Sequence, residues 1–152
     1  MLLGMPWREI TEEDLLSALT EPESSAYTMA AIGRGQDTFD DAMRMTVHKV
    51  RGYIADNQAN VLAAGLTLPD RVIADALALM RWNVLTRLPV AISDERTTAY
   101  KDAIRFFERV ADGKVRIERP EGVEVSKEDA GETVEVVHSV RQRASRRDLR
   151  GL

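Results

Sequence analysis

The stretch on which the fold turns is Pro69-Asp70-Arg71-Val72-Ile73-Ala74-Asp75-Ala76-Leu77-Ala78-Leu79-Met80-Arg81-Trp82-Asn83-Val84-Leu85-Thr86-Arg87-Leu88. Val72, Ile73, Leu77, Leu79, Met80, Trp82, Val84, Leu85 and Leu88 leave it apolar on most sides. A helix of that kind is packed on several faces at once. The spacing predicts a helix over 69–88 at the centre of the domain. Pro69 takes a first-turn position, where a missing N–H costs nothing, and Pro89 stops the helix.

Outward from this centre, two amphipathic helices flank it. Before it, Asp37-Thr38 reads as a cap, with Asp41 standing where a capping box places Glu or Gln. The stripe Phe39, Met43, Val47, Val50, Ile54 and Val61 recurs near 3.6 residues, and Gly65 reads as its C-terminal stop. After it, Ser93-Asp94-Glu95 caps a helix whose buried stripe is Tyr100, Ile104, Phe107 and Val110, with Ala103 and Ala111, ending at Asp112-Gly113. Nearer the start, Thr11-Glu12-Glu13-Asp14 is an N-cap with acids in the first turn. Leu15, Leu16 and Leu19 give that helix a buried face and Pro22 ends it. Residues 22–37 hold Pro, Ser, Gly33 and Gly35 and read as mostly loop, long enough to be specialised. The fold class is mostly α: a small helical bundle over 10–113 with an extended C-terminal arm over 114–152. The segments 114–117, 123–125 and 133–137 are β-branched, and are expected as short extended β segments, at an edge or donated to a neighbour.

The arm is polar. Glu118 to Glu135 carries seven acids and two bases, hence −5; Ser139 to Leu152 carries five arginines and one aspartate, hence +4. Ordering such a chain costs ~1–2 kcal/mol per residue with little apolar burial to offset it, so partners are expected to hold it.

Composition excludes several classes. The net charge is −4 and the pI about 5.3, so no global basic field recruits nucleic acid. There is no cysteine for disulfides or thiolate metal sites. No apolar run approaches the ~20 residues of a membrane span. Met1-Leu2-Leu3-Gly4-Met5-Pro6-Trp7 is apolar but lacks a basic start and is too short for a signal peptide. Aromatics at 5% argue against a stacking platform for single strands.

The search for chemistry finds no site. His48 has no second ligand at four residues' distance and reads as solvated or capping; His138 stands alone in the arm. Glu12, Glu13 and Asp14 are explained by helix capping. Gly33-Arg34-Gly35 lacks the Lys-Ser/Thr of a phosphate loop and follows no strand. There is no nucleophile elbow. The expectation is a protein that is not an enzyme and binds no cofactor or metal.

The basic terminus is the candidate binding element. Arg143, Arg146, Arg147 and Arg150 form a fork-like donor set around one apolar anchor, Leu149. Arginine is favoured over lysine where bidentate contacts matter, and the acidic run before it would repel a phosphate backbone. That pattern favours an acidic protein surface. The alternatives are a merely solvated tail and a small regulatory module that binds DNA through this tail.

Several features together resemble a known family. They are the hydrophobic helix led by Leu68-Pro69, the Pro89-Val90 break, and Tyr100-Lys101-Asp102-Ala103-Ile104-Arg105-Phe106-Phe107 closing on Gly113-Lys114-Val115. A terminus with Arg143, Ser145, Arg146, Leu149, Arg150 and Gly151 completes the set. The chain resembles the Mu-like prophage branch of the tailed-bacteriophage head–tail connector (adaptor, or neck) proteins over residues 38–117 and the final ten. Residues 22–37 depart from the pattern. The resemblance implies a helical bundle assembling into a ring, usually dodecameric, beneath the portal protein. Double-stranded DNA would pass through its channel without sequence-specific binding. A downstream neck or tail protein would dock below, and the arm would reach the portal. The implied location is the virion head–tail junction, after assembly in the host cytoplasm and with no membrane involved.

Overall fold

The computed structural model describes residues 6–34 and 37–120, with Arg34 and Asp37 through their backbone alone. These belong to one unit spanning Met1–Glu121. The described residues form five α-helices and one two-stranded ladder, so the fold is mostly α as expected.

The order is β1 (Trp7–Arg8), α1 (Glu12–Ser17), α2 (Glu21–Arg34), α3 (Asp37–Asp56), β2 (Leu68–Pro69), a 3₁₀ turn (Asp70–Val72), α4 (Ile73–Leu85) and α5 (Asp94–Ala111). β1 and β2 are antiparallel, Trp7 opposite Pro69 and Arg8 opposite Leu68. α4 is the centre, packed against α5, α3 and α1. It buries Ile73, Ala76, Leu79, Met80, Val84 and Leu85. α3 contributes Met43, Val47, Val50 and Ile54, and α5 contributes Ala103, Phe107 and Val110.

The α1 cap forms as the sequence indicates. The Asp14 amide donates to Thr11 Oγ1 at 3.2 Å and the Thr11 amide to Asp14 Oδ2 at 2.9 Å, a reciprocal capping box. Asp14 also pairs with Arg8 at 2.7 Å, which holds its carboxyl below the usual carboxylate range. Ser93 caps α5 by accepting from the Arg96 amide at 3.3 Å.

Several expectations need correction. Residues 22–37 are not mostly loop: Glu21–Arg34 is a 14-residue helix. Pro22 does not end a helix but sits in the first turn of the next one, where the orphan N–H positions tolerate it. α3 stops at Asp56, well short of Gly65. The asparagines there divert the backbone. Asn57 Oδ1 accepts from the Ala59 amide at 3.1 Å, and Asn60 Nδ2 donates to the Ile54 carbonyl at 3.0 Å. Val61 therefore lies in a loop, and Arg51 pins that loop by donating to the Ala63 carbonyl at 2.6 Å and the Thr67 carbonyl at 2.7 Å. Gly65 turns within it at φ 74°.

The central helix is shorter than 69–88. Pro69 is extended, and Asp70 spends its amide on the Pro6 carbonyl at 3.2 Å. At the other end Pro89 has no N–H for the Leu85 carbonyl, which takes the Leu88 amide instead at 3.1 Å. Leu77 is only partly buried, as is Trp82, whose ring stacks on Tyr100 with centroids 4.8 Å apart. Tyr100 and Ile104, placed in the α5 stripe, are likewise half-buried at its margin.

Residues 114–117 pair with no strand among the described residues. Gly113 at φ 77° ends α5, and the chain then buries Val115, Ile117 and Pro120. Side chains serve its carbonyls: Arg71 donates to Arg116 at 3.0 Å and the Trp7 indole to Glu118 at 3.2 Å. The segments 123–125 and 133–137 lie outside the described residues.

Candidate interaction surface

The most distinctive surface is an apolar groove of about 400 Å³ between α2, α3 and the C-terminal end of α4. α2 supplies Tyr27, Met29, Ala30 and Gly33; α3 supplies Thr38, Ala42 and Met45. Asn83 and Val84 of α4 form the floor with Arg87, Leu88 and Pro89 beyond its end. On its rim Met29 is 74% exposed and Met45 54%; Ile32, one turn along α2 from Met29, is 80% exposed. Large apolar side chains so exposed at the mouth of a groove mark an interaction site more often than chance, and methionine adapts to irregular partners.

Local structure fixes the groove's walls. Tyr27 anchors α2, with its ring 2% exposed and its hydroxyl donating to Glu12 Oε1 at 3.4 Å. Burial, then the charge of Glu12, pushes its pKa up to about 12, so it stays a neutral donor. The second anchor is Glu23, in the first turn of α2, which accepts from Arg96 of α5 at 3.0 and 3.2 Å. Beside that pair Arg81 of α4 donates to the Ala18 carbonyl at 3.1 Å. Burial first, and then the charge of Arg96, pulls the Arg81 pKa down, with Glu23 opposing. Along the groove, Arg87 lies over Met45 with Nη2 3.9 Å from the sulfur.

The groove can bind apolar matter but holds no catalytic constellation: its lining has no carboxylate, imidazole or thiol. His48 lies elsewhere on α3, exposed as its sequence context indicates. Among the described residues no three His, Cys, Asp or Glu side chains are grouped to hold a metal ion, and no helix is long and apolar enough to cross a membrane. The site residues inferred from sequence, Arg143, Arg146, Arg147, Leu149 and Arg150, all lie outside the described residues.

The sequence does not mark these residues as a site: Val84 and Leu88 read as core and Pro89 as a helix stop. Met29, and the neighbouring Ile32, lie in the Pro-, Ser- and Gly-containing stretch that reads as loop, although their three-residue spacing is a helical one.

A family model described as Bacteriophage Mu, Gp36 matches residues 9–136. The chain belongs to this family. No curated protein and no solved structure is similar to it. The Gp36 match begins ahead of α1 and runs through all five helices, so it takes in the α2 region that departs from the connector pattern. It ends before Arg141, leaving the arginine-rich terminus outside. As a Gp36-family member this is a Mu-like phage protein, of the structural or morphogenetic class.

Proposed function

We propose that this Gp36-family protein is a structural adaptor of the phage neck, forming a ring beneath the portal and joining head to tail. It acts by binding rather than catalysis and needs no cofactor. The observation that carries the reading is an apolar groove rimmed by exposed Met29 and Met45, with Ile32 exposed one turn further along α2, on a unit whose other large apolar side chains are mostly buried or half-buried among the described residues. A free monomer gains nothing from exposing such a face; an assembly subunit covers it. The arm adds a second contact: Arg143, Arg146, Arg147 and Arg150 bind acidic groups of a protein neighbour around Leu149. DNA passes through the ring without sequence-specific contact, and the mature site is the virion head–tail junction.

The test is the oligomeric state, by sedimentation and negative-stain microscopy, with and without portal protein. A closed ring, formed alone or on the portal, is the expected result. A protein that stays monomeric with portal present and binds free duplex with a steep salt dependence would instead favour the regulatory reading of the arginine tail.

A further inference from the structure

α2 carries a stretch without a single charge, Ser24-Ser25-Ala26-Tyr27-Thr28-Met29-Ala30-Ala31-Ile32-Gly33, in a chain of which 30% is charged. Of these residues Tyr27 alone is buried, while Ser25, Thr28, Met29, Ile32 and Gly33 are exposed. A helix face left to solvent ordinarily carries charge, so this one is not built for water alone.

The face has a ridge beside a groove. Met29 and Gly33 line the groove, whereas Ile32 stands outside the lining and projects into solvent. At 3.6 residues per turn Met29 lies between the other two, roughly 60° around the helix from Ile32 and roughly 40° from Gly33 on the opposite side. A ridge and a groove side by side on one face are self-complementary, because a two-fold axis between them places the ridge of each copy in the groove of the other. A head-to-tail contact instead needs two separate patches that different neighbours can reach at once.

We propose that this face is a homodimer surface. In the free protein two copies pack across a two-fold axis at Met29, with Ile32 of each seated in the α2–α3–α4 groove of the other. The charge pattern selects a second copy over an unlike partner. A residue at a two-fold axis faces its own twin, so any charge there meets a like charge at close range. From Ser24 to Gly33 the face has none. The groove's one charged lining residue, Arg87, lies off the axis, over Met45 on the α3 side. An unlike partner sets no such condition, and is ordinarily met by complementary charges around the contact.

The size of the face sets the strength of the dimer. α2 has 14 residues, and with the groove beside it the face is roughly 20 Å long and two helix diameters, roughly 20 Å, wide. Such an area of about 400 Å² per copy falls below the ~800 Å² per partner of a standard interface. The dimer is therefore weak and gives way to larger contacts. It adds a free-state form to the adaptor reading: the face stays covered by a second copy until neighbours on the portal take it over.

The full-length protein without portal should sediment as a concentration-dependent mixture of monomer and dimer, with a dissociation constant in the micromolar range. Ile32→Asp should melt like the wild type, since Ile32 is 80% exposed. It should nonetheless raise the dissociation constant by about a hundredfold or more, because two isoleucines are lost per dimer. The chain contains no cysteine, so disulfide trapping has no background. Met29→Cys should cross-link to itself on oxidation. Ile32→Cys mixed with Gly33→Cys should cross-link across the pair, and an added Cβ at Gly33 meets nothing within 4 Å. Cross-linking of the mixed pair without self-cross-linking of Met29→Cys indicates a head-to-tail contact and overturns the two-fold dimer. A wild type that stays monomeric at every concentration, or a Met29→Cys protein that cross-links only to added portal protein, overturns the second copy as occupant. Rings that form on the portal in either case leave the adaptor reading intact. A wild type that dimerises as described but forms no ring on the portal supports the dimer and overturns the adaptor reading instead.

Discussion

Glu23 and Arg96 fasten the groove's outer wall to the rest of the bundle, and their surroundings make the two truncations unequal. The side chains are 14% and 18% exposed. That places the pair between an exposed bridge, at ~0.2–1 kcal/mol, and a buried one, where deleting one partner costs ~3–5 kcal/mol. The neighbour that breaks the symmetry is Arg81, another desolvated guanidinium, whose pKa Arg96 depresses and Glu23 supports. Arg96→Ala leaves Glu23 beside one remaining cation and should cost about 1–2 kcal/mol. Glu23→Ala leaves Arg81 and Arg96 facing each other without a counter-charge and should cost about 2–3 kcal/mol. Urea titrations at pH 7 on both single variants and the double variant give the three differences and their coupling. The coupling should exceed about 1 kcal/mol, and added salt should narrow the gap between the singles. If Arg96→Ala proves the more damaging, or the coupling vanishes, the account of how α2 is held is wrong.

Three other outcomes follow from the same packing. Leu79→Ala, at a fully buried site, should cost about 2–5 kcal/mol, and Leu77→Ala less than half as much, because Leu77 is only partly buried; thermal melts of the pair decide it. Asp75 is a carboxylate whose pKa burial raises, so its ionised form is disfavoured in the fold and costs stability at neutral pH. Asp75→Asn should therefore be the more stable protein at pH 7. Its advantage should fade as pH falls through the raised pKa and be gone below the unfolded value of ~3.9, in melts run across that range. Deleting residues 141–152 should leave the melting temperature nearly unchanged while ring-to-portal association fails in a pull-down; full association by the truncated protein would remove the arm from the proposed interface.

How far the fold could be read from sequence depended on which way each helix turns its apolar side chains. α3 and α5 turn theirs inward at a 3.6-residue period, so Met43, Val47, Val50 and Ile54 and then Ala103, Phe107 and Val110 stood out as stripes. The Ser93 and Thr11 caps were legible because a hydroxyl followed by acids satisfies orphan amides by local geometry alone. The ends of α3 and α4 were misplaced for equally local reasons. Asn57 and Asn60 compete for the backbone before any glycine is reached, and the tie from Asp70 to Pro6 depends on a strand pairing more than sixty residues apart in the chain. No period in the sequence encodes that pairing.

α2 was missed for a different reason, and that reason bears on function. Pro22 is equally at home after one helix and in the first turn of the next, so it could not settle the boundary. What ordinarily settles it is an inward stripe, and α2 has almost none: Tyr27 is buried, while Met29 and Ile32 face solvent. An isolated helix of this length is marginal, so α2 depends on Tyr27 and on the Glu23–Arg96 pair for its place. A helix tied by one aromatic ring and one ion pair, with its larger aliphatic side chains turned outward, contributes little to its own subunit's core. In the adaptor reading those side chains belong to the core of an interface, and the missing inward stripe is what one chain alone shows of a contact completed by the next.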